Sequence, residues 1–104
     1  MTISLGYRGP AEGGERGVEP IATIIRDGQS VANAMVFCSL LSADDQAMGD
    51  EAATLYEPPA GKEPGLYTAG KLKLPDEGSR CTVRFRIVLP ESEQDWLRDV
   101  EIPL

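Results

Sequence analysis

Cys81, Val83, Phe85, Ile87 and Leu89 fall at every second position of residues 79–89, with Thr82, Arg84 and Arg86 between them. Side chains alternate between two faces in an extended chain, so this period of two predicts a long half-buried strand. A helix would scatter the same five apolar residues around its circumference.

The remaining residues point the same way. At 104 residues the chain is expected to be one domain, 1–104, with a single core. Eight prolines and eleven glycines lie in clusters, which suits short strands joined by turns better than long helices. Ile3, Leu5 and Tyr7 alternate in a short first strand. Residues 8–19 hold four glycines and a proline with little to bury, and a flexible loop is expected there. The β-branched run 20–26 predicts a strand, and Asp27-Gly28 predicts a tight turn because it tolerates positive φ. Residues 31–41 follow as a strand with Ala32, Ala34, Val36, Cys38 and Leu40 on one face. A helix over 32–41 is the competing reading, since Ala, Met and Leu favour it. Residues 52–56, 66–74 (broken at Gly70) and 96–104 supply further strands, with a turn at 75–78 and a polar loop at 90–95. Pro58 and Pro59 cannot donate ladder hydrogen bonds and mark a connection or an edge. With Lys71 and Lys73 they would protect the edges of the sheets. The pattern is all-β, about seven short strands separated by turn signals, as in a β-sandwich.

The net charge is −7, which disfavours nucleic acid and anionic membrane surfaces as partners, because binding either rests on Lys and Arg. No apolar run approaches the roughly 20 residues needed to span a bilayer, so no membrane insertion is expected. Residues 1–20 lack the basic start and apolar middle of a signal peptide. The compartment is therefore open between the cytoplasm and an exported domain lacking its leader.

Asp27-Gly28-Gln29-Ser30-Val31-Ala32-Asn33-Ala34-Met35-Val36 resembles the opening hairpin of bacterial immunoglobulin-like and transthyretin-like domains. Pro64-Gly65-Leu66-Tyr67-Thr68-Ala69 is similar to the strand that follows an acidic loop in such domains, and Val83 to Ile87 to their penultimate strand. The likeness covers residues 20–104 through short, degenerate motifs. It implies an immunoglobulin-like β-sandwich of two antiparallel sheets, and by analogy a role in adhesion or partner binding. It also implies a disulfide across the two sheets between Cys38 and Cys81. Two buried thiols are the alternative, and the choice turns on the compartment.

The chain contains no histidine, which removes Ser-His-Asp and Cys-His nucleophile systems and imidazole metal sites. Gly9, Gly13, Gly14 and Gly17 make no phosphate-binding pattern. Carboxylate-only glycoside hydrolysis needs two carboxyl groups and a cleft, and a chain this short offers little room for one. An enzyme and a cofactor are both unexpected. Asp44, Asp45, Asp50 and Glu51 form the densest acidic cluster. They are calcium candidates by ligand type, but their spacing matches no calcium loop, and a solvated acidic loop is the preferred reading. Of the large aromatics Tyr7, Tyr56, Tyr67 and Trp96, Tyr67 is read as structural, while Tyr56 and Trp96 are candidates for a binding surface, a capping or packing role being preferred for Trp96. Arg84 and Arg86 face outward from the alternating strand, where they either balance neighbouring carboxylates or meet a partner; balancing is preferred. The function expected is a non-enzymatic module mediating protein–protein interaction, the alternative a carbohydrate-binding module using exposed aromatics. Partner identity and oligomeric state are left open.

Overall fold

The computed structural model describes residues 1–9, 17–74, 80–90 and 95–103. They form ten short strands and no helix: β1 (Thr2–Arg8), β2 (Gly17–Arg26), β3 (Gln29–Ser30), β4 (Met35–Leu41), β5 (Ala52–Ala53), β6 (Leu55–Glu57), β7 (Leu66–Thr68), β8 (Leu72–Lys73), β9 (Arg80–Val88) and β10 (Trp96–Pro103). Two antiparallel sheets result. The first runs β1-β2-β7-β6, with β3 and β8 also paired to β2; the second runs β10-β9-β4-β5.

The alternating stretch is β9, at the centre of the second sheet. Cys81, Val83, Phe85, Ile87 and Leu89 are all buried. Cross-strand neighbours share a face, so Val36, Cys38 and Leu40 on β4 line up beside Ile87, Phe85 and Val83 and are buried with them. From the first sheet, Val18, Pro20, Ala22 and Ile24 of β2 and Tyr67 of β7 close the core from the opposite side.

Beside β2, the strand pair β7–β8 is continuous except for a bulge. Ile21 and Ala22 pair with Thr68 and Tyr67, whereas Gly17 and Val18 pair with Lys73 and Leu72. Glu19 and Pro20 therefore face Ala69, Gly70 and Lys71, so the partner carries one extra residue. Gly70 takes φ +76, a left-handed value that a Cβ would oppose. The bulge also accommodates Pro20, which has no N–H for a regular ladder in mid-sheet.

Two of the three passages between the sheets lie wholly within the described residues, and both are pinned. From β3 to β4 it passes through residues 31–34, where the Tyr67 hydroxyl donates to the Val31 carbonyl and accepts from the Ala34 N–H at 3.3 Å. From β5 to β6 it passes through Thr54 alone, whose N–H (3.0 Å) and hydroxyl (2.7 Å) both donate to the Val36 carbonyl.

Several expectations change. Arg8 belongs to β1 and Gly17 to Glu19 belong to β2, so the segment 8–19 is not wholly a loop; Arg8 pairs with Glu19 in the ladder and by a 3.5 Å ion pair. The burial period of β2 simply extends upstream through Val18. Residues 10–16, like the expected turn at 75–78 and residues 91–94 of the polar loop, lie outside the described residues. The strand expected over 31–41 starts at Met35, because the preceding residues span the two sheets. The segment 52–56 is two strands in different sheets, divided at Thr54.

Truncation of Phe85, which has no exposed surface, should cost about 3–5 kcal/mol in Phe85→Ala. Tyr67→Phe should cost about 1–3 kcal/mol, since it strips the Val31 carbonyl and Ala34 N–H of their partner. Urea unfolding monitored by Trp96 fluorescence measures both.

Candidate functional site

The four residues singled out for binding occupy three separate places. Arg84 and Arg86 lie on the outer face of the second sheet, and both are engaged. Arg84 holds Asp99, its cross-strand neighbour on β10, by two parallel hydrogen bonds of 2.8 and 3.0 Å. Arg86 holds both oxygens of Glu51 at 2.6 and 3.0 Å and reaches Asp95 at 3.1 Å. Its guanidinium also lies 4.2 Å above the Phe37 ring, its neighbour on β4. Two-pronged pairing uses the planar fork of arginine fully, so this face presents charge already balanced across strands. The hydrogen bond from Arg86 holds the Glu51 carboxyl below its ordinary range, and that from Arg84 does the same for Asp99.

Trp96 sits on the opposite face of the same sheet, opposite Ile87, at the end of β10. It remains 37 % exposed, and Arg98, two residues along on the same face, stacks over its ring at 5.0 Å.

Tyr56 occupies the other margin, where β5 passes into β6. Its ring tilts against Tyr67 with centroids 4.9 Å apart. A Cβ on Gly65 would collide with the Tyr56 side chain, so the glycine is what lets this ring approach the β6–β7 connection. Three open clefts meet at Tyr56. One of about 840 Å³ is bordered by Ile25, Ser30, Pro58, Pro59 and Pro64. One of about 340 Å³ is bordered by Met35, Phe37, Leu55 and Tyr67. The third, about 450 Å³, lies beside Leu55, Glu57, Thr68 and Gly70. Leu55 is 79 % exposed and Met35 55 % exposed, so the margin carries an apolar rim in contact with water.

Sequence reasoning found Tyr56 but passed over Leu55 and Met35. The available signal was parity: Leu55 shares a face with the charged Glu57, whereas Tyr56 shares its face with the buried Tyr67. Met35 likewise shares the outer face of β4 with Ser39, opposite the buried Val36 and Cys38.

The acidic cluster does not assemble. Asp44 and Asp45 sit in a turn closed by Ser42, whose hydroxyl accepts from the Asp44 and Gln46 N–H groups. Glu51 is committed to Arg86, and among the described residues no three His, Cys, Asp or Glu side chains gather to hold a metal ion. Of the calcium candidates Asp44, Asp45, Asp50 and Glu51, the first two thus lie in the Ser42 turn and Glu51 pairs with Arg86. Cys38 and Cys81 are not joined by a disulfide. They lie in one sheet on neighbouring strands; Cys38 pairs with Phe85, four residues beyond Cys81. At about 3.3 Å per residue that offset is about 13 Å, beyond the roughly 7 Å between Cα atoms that a bridge can span. The cross-sheet bridge is therefore replaced by buried thiols packed as small apolar groups. Burial, aided by the nearby Glu51 charge, pushes the Cys38 thiol up to about 12.

Two pH responses follow. Glu51 and Asp99 have lowered folded-state values, so their contribution is present above the unfolded-state carboxyl values of about 3.9–4.3 and is lost as pH falls through the folded ones. The melting temperature should drop between about pH 5 and pH 3, and Arg84→Gln with Arg86→Gln should flatten that drop. Cys38 has a raised value, so its contribution is complete below the unfolded thiol value of about 8.5 and is lost toward pH 12. At pH 8 a thiol reagent should leave Cys38 unmodified in the native protein and label it within minutes in denaturant, as mass spectrometry of the digest would show. Comparison of the chain with known family models, with curated proteins and with solved structures finds no match.

Proposed function

We propose that this chain is a non-enzymatic module that binds a protein partner through the margin around Tyr56. The observation that carries this reading is the exposed apolar rim of Leu55 and Met35 beside clefts that converge on one aromatic ring. An apolar centre ringed by polar groups is the usual make-up of a protein-binding surface, and Glu57, Lys62 and Glu63 supply such a ring here. The non-enzymatic part of the reading rests on a sequence without histidine. An immunoglobulin-like or transthyretin-like ancestry belongs to the same proposal. It is supported by the hairpin at Asp27 and Gly28, both at positive φ (52° and 77°). The cysteine placement speaks for a lineage without the inter-sheet bridge.

Carbohydrate binding is the second reading, and Tyr56 favours it, since the ring borders the largest of the three clefts. Trp96 adds less, because Arg98 covers one face of its ring.

Affinity capture from the host with wild-type, Leu55→Asp and Arg84→Gln baits separates the readings. A partner held by the wild type and by Arg84→Gln, and weakened at least tenfold by Leu55→Asp, is the expected result. A partner indifferent to Leu55→Asp would refute the proposed surface. A glycan-array signal abolished by Tyr56→Ala would put the carbohydrate reading in its place.

A further inference from the structure

The two sheets have four margins, and they are not equally protected. At one side β5 and β6 are two and three residues long, and Pro58 and Pro59 follow β6 directly. Because Thr54 alone joins β5 to β6, the opposite side of the sandwich is bounded by β10 and β1, of eight and seven residues. Among the described residues each of these long strands has a neighbour on one side only. An edge of this length is a template for another strand unless its side chains prevent it.

In β10 they do. An antiparallel pairing of β10 with its copy, about a two-fold normal to the sheet, must join residues that share a face. Centred on Leu97 it opposes Asp95 to Asp99; on Arg98, the two Arg98 side chains; on Asp99, the two Asp99 side chains; on Val100, Asp99 to Glu101. Every one of these registers sets side chains of like charge opposite each other, Asp95 and Asp99 on top of their pairs with Arg86 and Arg84, which disfavours the contact in a sheet.

β1 has the opposite character. Its residues, Thr2 to Arg8, include no proline and no charge before Arg8, and its ladder with β2 runs unbroken over all seven pairs. A two-fold centred on Leu5, the middle residue, would pair the whole strand. Leu5 meets Leu5, Ile3 meets Tyr7, Ser4 meets Gly6 and Thr2 meets Arg8, with no like charges opposed. Ile3, Leu5 and Tyr7 are half-buried and already lean on the core, so the two copies would extend one apolar row across the junction. Aromatic and β-branched residues are favourable cross-strand partners, and an isologous contact requires just this self-complementarity.

We propose that the β1 edge is a self-association surface, on which a second copy of this chain adds its own β1 antiparallel, centred on Leu5, to make a sheet continuous through the dimer. The self-matching sequence of β1, set against the self-repelling sequence of β10, is what selects a second copy over an unrelated strand.

Ser4 and Gly6 test both the dimer and its register. Ser4 is exposed, and a Cβ on Gly6 meets nothing within 4 Å, so both positions accept side chains in the folded monomer. In the proposed register each Ser4 faces the other copy's Gly6, twice per dimer. Size-exclusion chromatography with light scattering on the full chain, at tens to hundreds of micromolar, should find the wild type dimeric. Ser4→Glu with Gly6→Glu should weaken the dimer at least tenfold, and Ser4→Lys with Gly6→Glu should restore it, with circular dichroism confirming that each variant is folded. A monomeric wild type overturns the proposal, as does a dimer that survives the two glutamates or is not restored by the lysine–glutamate pair.

Discussion

Everything in this structure depends on covering the odd-numbered side chains of β9. Four of them, Cys81, Val83, Phe85 and Ile87, and Leu89 just beyond, are buried, and a single sheet leaves one of its faces in water. The even-numbered residues of β2, Val18 to Ile24, provide the opposing surface. Each fully buried aliphatic or aromatic side chain in that layer contributes about 1.5–3 kcal/mol relative to exposure. The long central strands of the two sheets thus define the layers, and the eight shorter or flanking strands extend or seal them.

Sealing is done by hydrogen bonds at the points where the chain changes sheet. Backbone groups in a crossing segment have no ladder partner and would be costly to bury unsatisfied. Tyr67 meets this at residues 31–34 by projecting its hydroxyl from the first sheet onto the connection. Thr54 meets it by giving both of its donors to the Val36 carbonyl. These two crossings lie at the margin where Tyr56 packs on Tyr67, so the candidate binding surface stands on a hydrogen-bonded part of the sandwich. Leu55 is exposed as a consequence: the one-residue crossing directs Tyr56 inward and therefore Leu55 outward.

Much of this fold was legible in the chain. The period of two in β9, the β-branched run of β2, the Asp27-Gly28 turn and the break at Gly70 are local properties, and each is found where the residues indicate. Arg84 is paired by its cross-strand neighbour Asp99, as outward positions on a central strand allow, whereas the carboxylates that hold Arg86 come from outside the neighbouring strands. Less was legible at the candidate site. Tyr56 could be marked as an aromatic with a polar handle, but its clefts arise from Gly65, Pro58, Met35 and Leu55, which come together only when β4, β5, β6 and the β6–β7 connection converge. The limits of 8–19 and 31–41 were misjudged because Pro20 reads as the start of a strand, while Ala32 and Ala34 read as part of the alternating run that follows. Only the bulge opposite Pro20 lets β2 continue through a proline, and only the sheet crossing stops β4 at Met35.

The sequence by itself determined the strand character, the inner and outer faces and the acidic balance, since these follow from side-chain period and composition. Tertiary structure alone decided which strands became neighbours. It put Cys38 and Cys81 in one sheet four residues out of register, brought Glu51 to Arg86 from 35 residues away in the chain, and left β1 and β10 as the long edges. The physical reason is that alternation is set residue by residue, whereas pairing and register are selected by the burial of whole faces, to which every strand contributes.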